Sequence, residues 1–197
     1  METQASDGAR RDTRRYQLAL RLMAHQARTG TISAMTSLSR HQQEALRQRW
    51  GITEDTRRRG PSPSSLGRFT HSPRARSEGA VLAAFCRIYG LLPLGSLAGL
   101  PRRKLLTLEF GERLCDTYES YRACFPWIKL KIEELLSIAI GIAANEVIGL
   151  GRCESCSGTV IIDRLAPHRP SCAHCHAAHA ESRAADEKPG GADEQEE

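Results

Sequence analysis

From Asp12 to Trp50, apolar and polar side chains alternate with the period of an α-helix. Apolar residues recur at three- and four-residue steps, which predicts an amphipathic helix that begins with Asp12 as its N-cap and is closed by Gly30. We expect residues 1–11, which lack this pattern, to be disordered. The apolar positions of the helix are Tyr16, Leu20, Met23 and Ala27.

Two shorter segments follow the first helix, and the order of the three segments indicates a structural motif. The short segment Thr31–Thr36 precedes a predicted helix over Arg40–Trp50, in which Ser39 and Gln42 match the S-x-x-Q capping box. A long helix, a short helix and an arginine-bearing helix, joined by tight turns, have the order of a helix-turn-helix, here residues 12–51. The alternative is a basic helical hairpin that packs on the core or on a partner.

Residues 52–78 interrupt the helical pattern with Gly, Pro and Ser. No acid occurs between Arg57 and Arg76, so we predict a flexible cationic loop. Such a loop either neutralises phosphates or is a solvated linker, and the excess of arginine favours phosphate contact. Loop arginines would then position the protein on phosphates, while helix arginines would read base edges. The candidate DNA contacts are Arg40, Arg47 and Arg49 in the helix and Arg57, Arg58 and Arg59 in the loop.

Helical periodicity returns in three segments, Gly79–Leu92, Arg102–Phe125 and Trp127–Gly149. The third segment carries an apolar stripe wide enough to bury against two neighbours. Aromatic residues make up only 5 % of the chain, which favours a mainly α fold because aromatics are enriched in strands. We therefore predict a helical core over residues 79–150.

The net charge of +5 conceals an uneven distribution. The segment Glu181–Glu197 contains seven acids and two bases, which leaves 26 basic and 16 acidic residues in positions 1–180. A body this basic favours a polyanionic partner. The acidic tail, residues 180–197, is predicted to be disordered.

Four of the seven cysteines form two close pairs, Cys153-x2-Cys156 and Cys172-x2-Cys175, fifteen residues apart. A two-residue gap lets both sulfurs of a pair reach one ion, and four thiolates at tetrahedral corners are the usual structural zinc site. The strand-like segment Thr159–Ile162 suits two strands that run out and back between the two cysteine pairs. We predict one structural zinc ion (Zn2+) per chain in a separate zinc-ribbon-like unit, residues 151–179. Two redox pairs or four free thiols are the less favoured alternative.

Other chemistry-bearing residues are weaker candidates. Four cysteines complete a zinc ligand set, so the nearby histidines are expected on the surface, although one of them could replace a cysteine. These histidines are His168, His174, His176 and His179. The remaining thiols, Cys86, Cys115 and Cys124, are expected in the core.

Nothing in the sequence has the pattern of a catalytic site. A Gly-rich phosphate loop, a nucleophile elbow and H-E-x-x-H are all missing from the sequence. Glu133 and Glu134 are adjacent on a predicted helix and so point in different directions, which favours a solvated edge over an acid–base pair. We therefore expect a protein that is not an enzyme.

Membrane insertion and secretion are not indicated. The polar, arginine-rich residues 1–15 do not have the pattern of a signal peptide, and the apolar run Leu135–Leu150 is interrupted by Asn145 and Glu146. We expect a soluble protein in the reducing cytoplasm, with no membrane partner.

The order of these features resembles FlhC, the zinc-containing subunit of the bacterial flagellar master transcription regulator. The resemblance covers about residues 12–178. It is carried by Tyr16-Gln-Leu-Ala-Leu-Arg-Leu with Gly30, Leu38-Ser-Arg40, Arg59-Gly-Pro-Ser-Pro63, Ala83-Ala-Phe-Cys86, and Gly149 to Cys156 ahead of the second cysteine pair. The cysteine pairs alone are shared by many ribbons, but their position after a helical body makes the likeness more specific.

The resemblance implies a mostly helical activator of flagellar genes that binds double-stranded promoter DNA. It also implies a hetero-oligomer with an FlhD-like protein, recruitment of RNA polymerase, and zinc binding by Cys153, Cys156, Cys172 and Cys175. One stretch departs from the family: Gly67–Pro73 stands where members carry an aromatic, acid-containing run. Because of this departure, a divergent regulator of another regulon is one alternative function. A basic, zinc-containing interaction adaptor without sequence-specific DNA binding is the other.

Overall fold

The computed structural model describes residues 2–52, 66–92, 105–166 and 170–186. Within these ranges the chain forms seven α-helices and one two-stranded antiparallel sheet, which confirms the mainly α fold. The helices are α1 (Glu2–Ala24), α2 (Thr29–Thr36), α3 (Arg40–Arg49), α4 (Pro73–Ile88), α5 (Leu108–Cys124), α6 (Ile132–Ala144) and α7 (Ala173–Asp186). A 3-10 turn covers Gly67–Phe69, and the strands are β1 (Ile148–Arg152) and β2 (Thr159–Asp163).

The first helix is placed differently from the sequence prediction. It already begins at Glu2, so Asp12 is an interior residue and not its N-cap. It ends at Ala24, where Gln26 adopts a left-handed conformation (φ 58°), and Gly30 lies inside α2. The prediction of disorder for residues 1–11 is therefore wrong for residues 2–11.

Helix α3 has the start that its sequence predicts. The Ser39 hydroxyl accepts the Gln42 N–H at 3.2 Å, and the Gln42 side chain accepts the Ser39 N–H at 2.8 Å, which forms both halves of the capping box. Buried Gln43 then binds α3 to α2, since its amide donates to Ser33 Oγ at 2.7 Å and to the Leu38 carbonyl at 3.1 Å. The three N-terminal helices thus have the predicted order and fixed contacts.

Helix α4 begins inside the segment predicted as a loop over residues 52–78. The Ser72 hydroxyl caps it by accepting the Ala75 N–H at 3.1 Å, and Pro73 occupies the first turn. Proline is well suited to this position because its missing N–H would have no helical partner there. Residues 53–65 of the predicted loop lie outside the described part of the chain.

The apolar core is formed mainly by α1, α5 and α6 together with α2 and α4. One buried cluster contains Leu18 and Leu22 of α1, Leu114 of α5, and Leu135 and Leu136 of α6, all at most 1 % exposed. The apolar stripe predicted for the last helix is therefore buried. That helix ends at Ala144, however, because Asn145 takes a left-handed C-cap conformation (φ 54°) and the chain turns into β1 before residue 150.

Acids of α5 pair with two arginines of α1 and with the histidine that follows it. Arg14 pairs with Glu112 at 2.6 Å, and Arg21 pairs with Asp116 and Glu119 at 2.7 Å each. His25 Nε2 also contacts Glu119 at 2.6 Å. Part of the N-terminal positive charge is therefore balanced inside the fold.

The adjacent acids of α6 are buried and structural, contrary to the predicted solvated edge. Glu133, 2 % exposed, accepts the Arg28 N–H at 2.9 Å and the Thr31 hydroxyl at 3.2 Å, and so places a carboxylate at the N-terminus of α2. Glu134 accepts the Lys131 N–H at 2.8 Å and pairs with Arg68. Both carboxylates thus hold helix ends in place.

Candidate metal centre

The sulfur atoms of Cys153, Cys156, Cys172 and Cys175 all lie within 4.8 Å of one another. The Cys156 and Cys172 sulfurs are 3.7 Å apart. A tetrahedral site with zinc–sulfur bonds of about 2.3 Å separates its sulfurs by about 3.8 Å, whereas a disulfide needs about 2.05 Å. The residues present therefore fit a structural metal ion held by four cysteines.

The turn between β1 and β2 carries the first pair. The strands pair in register from Ile148 opposite Asp163 to Arg152 opposite Thr159, so that residues 153–158 form the hairpin turn. The Cys153 N–H donates to the Gly158 carbonyl at 2.7 Å, and the Ser157 N–H donates to the Cys153 carbonyl at 2.8 Å. These hydrogen bonds close the turn, in which the sulfurs of Cys153 and Cys156 lie within 4.8 Å of each other.

The second pair lies at the start of α7. Cys172 immediately precedes the helix, and its sulfur accepts the Cys175 N–H at 3.4 Å. The Cys172 N–H in turn donates to the Cys153 sulfur at 3.4 Å. Backbone N–H groups and the positive end of a helix stabilise thiolates, so the peptide itself prepares these sulfurs for a cation.

Backbone N–H groups and the neighbouring sulfurs shift the pKa values of two of the four thiols. Backbone N–H groups, first that of Cys156 and then that of Cys172, lower the pKa of Cys153 to about 6. Hydrogen bonds with the sulfurs of Cys172 and then Cys156 raise the pKa of Cys175 to about 12. Four thiolates at this spacing repel one another, and a divalent cation offsets that repulsion and favours deprotonation of every ligand.

The cysteine site is closed by its own ligands and a small apolar core. Val160 is fully buried beside Cys153, which is 1 % exposed, and Cys175, which is 9 % exposed, while Cys156 faces solvent. These four sulfurs would complete the tetrahedral coordination of a bound ion and would leave no position on it for a substrate. The arrangement can therefore stabilise the hairpin and the start of α7.

The hairpin also packs on the helical body, so the zinc-binding unit predicted over residues 151–179 shares part of its core with the helices. Ile148 and Ile161 belong to the main core, and a Cβ atom on Gly79 of α4 would lie only 2.7 Å from Ile161 Cγ1. Ser77 of α4 accepts the N–H of Ala173 at the start of α7 at 3.0 Å. The helical period of α4 in the sequence gave no sign of this role, because the contacts of Gly79 and Ser77 depend on where the hairpin packs.

Three of the neighbouring histidines are described, and they lie outside the four-sulfur cluster. His174, His176 and His179 are exposed on α7, and His179 Nε2 lies 3.2 Å from Ser155 Oγ. His168 falls outside the described residues. Helix α7 continues to Asp186, so the prediction of disorder from residue 180 is wrong for 180–186, while the acidic residues beyond it are outside the described part.

The other thiols divide into two kinds. Burial raises the pKa of Cys86 and of Cys115 to about 12 each, as expected for core thiols. Cys124 is exposed at the end of α5, so its predicted core position is wrong.

The three candidate DNA-contacting arginines that the structure describes are not all exposed. Arg40 and Arg49 are exposed on α3, but Arg47 is 4 % exposed. It lies one turn after buried Gln43, on the face that packs against α2, so the prediction that Arg47 contacts DNA conflicts with the fold. Arg57, Arg58 and Arg59 lie outside the described residues.

The fold and the site together define a mainly helical protein with a four-cysteine metal site. No protein-family model matches the chain, and no curated protein matches it. No helix among the described residues is long and apolar enough to cross a membrane.

Proposed function

We propose that the protein is a DNA-binding transcription activator of the FlhC type, stabilised by structural zinc. The observation that carries the proposal is the arrangement of α1, α2 and α3. The capping box and Gln43 fix α3 against α2, and Arg40 and Arg49 on α3 face solvent. A recognition helix needs this combination of a rigid mount and exposed basic side chains.

Zinc is the metal that the donor set favours. Four soft thiolates in tetrahedral reach select zinc over hard cations such as magnesium or calcium. Its role is to hold the β1–β2 hairpin and the start of α7 together, and through Ile161 and Ser77 to fix both on α4. The metal is thus part of the scaffold and takes no part in a reaction.

The partners come from the family resemblance. They are double-stranded promoter DNA of flagellar genes, an FlhD-like protein in a hetero-oligomer, and RNA polymerase, all in the cytoplasm. Two large apolar side chains are candidates for contact with a protein partner: Ile88 is 75 % exposed and Trp127 is 70 % exposed.

A basic interaction adaptor is the second candidate, and specific observations favour it. Arg14 and Arg21 are bound by acids of α5, and Arg47 is buried. These arginines are used within the fold, so the basic count overstates the charge offered to DNA. A divergent regulator of another regulon differs from the first proposal only in the promoter that it binds.

Binding measurements on the full chain separate these functions. Fluorescence anisotropy would compare a flagellar-type promoter with scrambled DNA, with and without an FlhD-like protein, over a salt series. An activator binds the promoter more tightly than scrambled DNA, and the partner strengthens that preference. The double variant Arg40→Gln/Arg49→Gln should lose the preference, whereas Arg87→Gln, an exposed charge on α4, should keep it. Equal, weak binding to both DNAs would establish the adaptor instead.

A further inference from the structure

A concave opening of about 340 Å3 lies between the α1–α2 turn and the segment that joins α5 to α6. Its wall includes three cationic side chains, Arg122 at the end of α5 and Lys129 and Lys131 in the joining segment. No carboxylate is among the described residues that line it. A pocket of this volume accommodates a small ligand, and its charge specifies an anion.

The floor of the opening consists of packed and hydrogen-bonded side chains. Tyr118 is 4 % exposed, and its hydroxyl donates to the Leu130 carbonyl at 3.0 Å. His25 packs edge-on against the Tyr118 ring with 4.9 Å between ring centroids. The Arg122 guanidinium lies over the same ring, 5.8 Å from its centroid, where a cation–π contact limits its movement.

The carboxylates on the neighbouring elements are already bound by other groups. Glu119 accepts hydrogen bonds from Arg21 and contacts His25. Glu133 binds the N-terminus of α2, and Glu134 pairs with Arg68.

The three cations therefore keep their charge for a ligand. They are exposed, and none of them forms a salt bridge among the described residues. Like charges around one opening repel each other, and an anion placed between them relieves that repulsion.

We propose that this opening is a phosphate-binding site. Arg122 offers a planar fork of N–H donors that suits phosphate oxygens, and the two lysines add point charges. The phosphate belongs either to a small phosphorylated molecule or to the backbone of duplex DNA. A phosphate of the DNA backbone rests on the proposed function, because the opening adjoins the turn that leads into α2. A small phosphorylated molecule as the ligand does not depend on the proposed function.

The test compares matched charge removals in the full, metal-loaded chain. Arg122→Gln/Lys129→Gln removes two wall cations, and Lys129→Gln/Lys131→Gln leaves the contact of Arg122 with Tyr118 intact. Arg10→Gln is the control, since Arg10 is exposed about 20 Å away along α1. Circular dichroism checks that each variant is folded, and the probes are sodium pyrophosphate, by calorimetry, and a short scrambled DNA duplex.

Loss of charge-assisted hydrogen bonds should weaken binding of the phosphate source roughly tenfold or more in both pocket variants and leave the control unchanged. Loss on pyrophosphate alone identifies a small phosphorylated ligand. Weaker binding of DNA identifies the DNA backbone as the ligand. In that case the slope of log affinity against log salt concentration should fall by about the share of one or two phosphate contacts. Pocket variants that bind both probes like Arg10→Gln, or a wild-type chain that binds neither, overturn the proposal. A chain that binds pyrophosphate through the pocket but shows no promoter preference overturns the proposed function alone.

Discussion

The contact between Gly79 and Ile161 gives the sharpest prediction about how the β1–β2 hairpin, which carries the cysteine site, is attached to α4. Replacing Gly79 by alanine would put a Cβ atom 2.7 Å from Ile161 Cγ1, which is well inside van der Waals contact. Ile161 is fully buried, and Cγ1 is not at the free end of its side chain. The added methyl group must therefore push β2 away from α4 or strain both elements.

The expected magnitude follows from two opposing effects. Overpacking of a filled core costs about 1–3 kcal/mol, and the short contact places Gly79→Ala in the upper part of that range. Alanine in place of glycine inside a helix returns about 1 kcal/mol. We expect a net loss of about 1–2 kcal/mol in the free energy of unfolding.

The assay is urea unfolding of the metal-loaded chain, followed by circular dichroism. Gly30→Ala in α2 is the matched control, because nothing lies within 4 Å of its added Cβ, and it should be neutral or stabilising. Ile161→Ala alone should cost about 2–5 kcal/mol. The double variant with Gly79→Ala should cost less than the sum, because the new methyl group fills part of the cavity. Equal behaviour of Gly79→Ala and Gly30→Ala, with additive double-variant energies, would refute the attachment.

Three further predictions concern buried and paired groups. Glu133→Ala removes the carboxylate that binds the α2 N-terminus and should lower stability by about 1–3 kcal/mol in thermal unfolding. Partial burial opposes the charge on Glu119, but hydrogen bonds from Arg21 and His25 outweigh it and hold the pKa of Glu119 below its usual value. The small stabilisation by Glu119, below about 1 kcal/mol, should thus be present at neutral pH and be lost as the pH falls below the usual glutamate range; Glu119→Gln would remove this dependence. In the metal-loaded chain, iodoacetamide should label Cys124 first and label Cys86 and Cys115 only after unfolding.

Each of these predictions has a contradicting outcome. Glu133→Ala with wild-type stability would mean that the α2 N-terminus does not depend on the carboxylate. An acid-induced loss of stability that is the same in wild type and Glu119→Gln would remove the role given to that ion pair. Rapid labelling of Cys86 in the folded chain would place it outside the core.

Local patterns predicted much of the fold because they act over a few residues. The capping box at Ser39 and Gln42, the apolar stripe of α6 and the two cysteine pairs each depend on spacing within one segment. The cluster of four cysteines was predicted for the same reason, since a two-residue gap fixes where both sulfurs of a pair can reach.

Features that depend on packing between distant segments were missed. The burial of Arg47 depends on the face of α3 that α2 covers, and that of Glu133 depends on α2 offering free N–H groups. The start of α1 at Glu2 lacks an apolar period, and the pairing of Arg14 and Arg21 with acids of α5 joins positions almost a hundred residues apart. Charge counts along the chain contain none of this information.

We propose above all that four cysteines hold one structural zinc ion, which fastens the C-terminal hairpin to α7. Native mass spectrometry of protein purified without chelator tests it most directly, with Cys172→Ser compared against Cys124→Ser, which changes an exposed thiol outside the site. We predict about one zinc ion per chain in the wild type and in Cys124→Ser, and loss of the metal in Cys172→Ser. A wild-type chain without metal, or full retention of zinc by Cys172→Ser, would contradict the four-thiolate site.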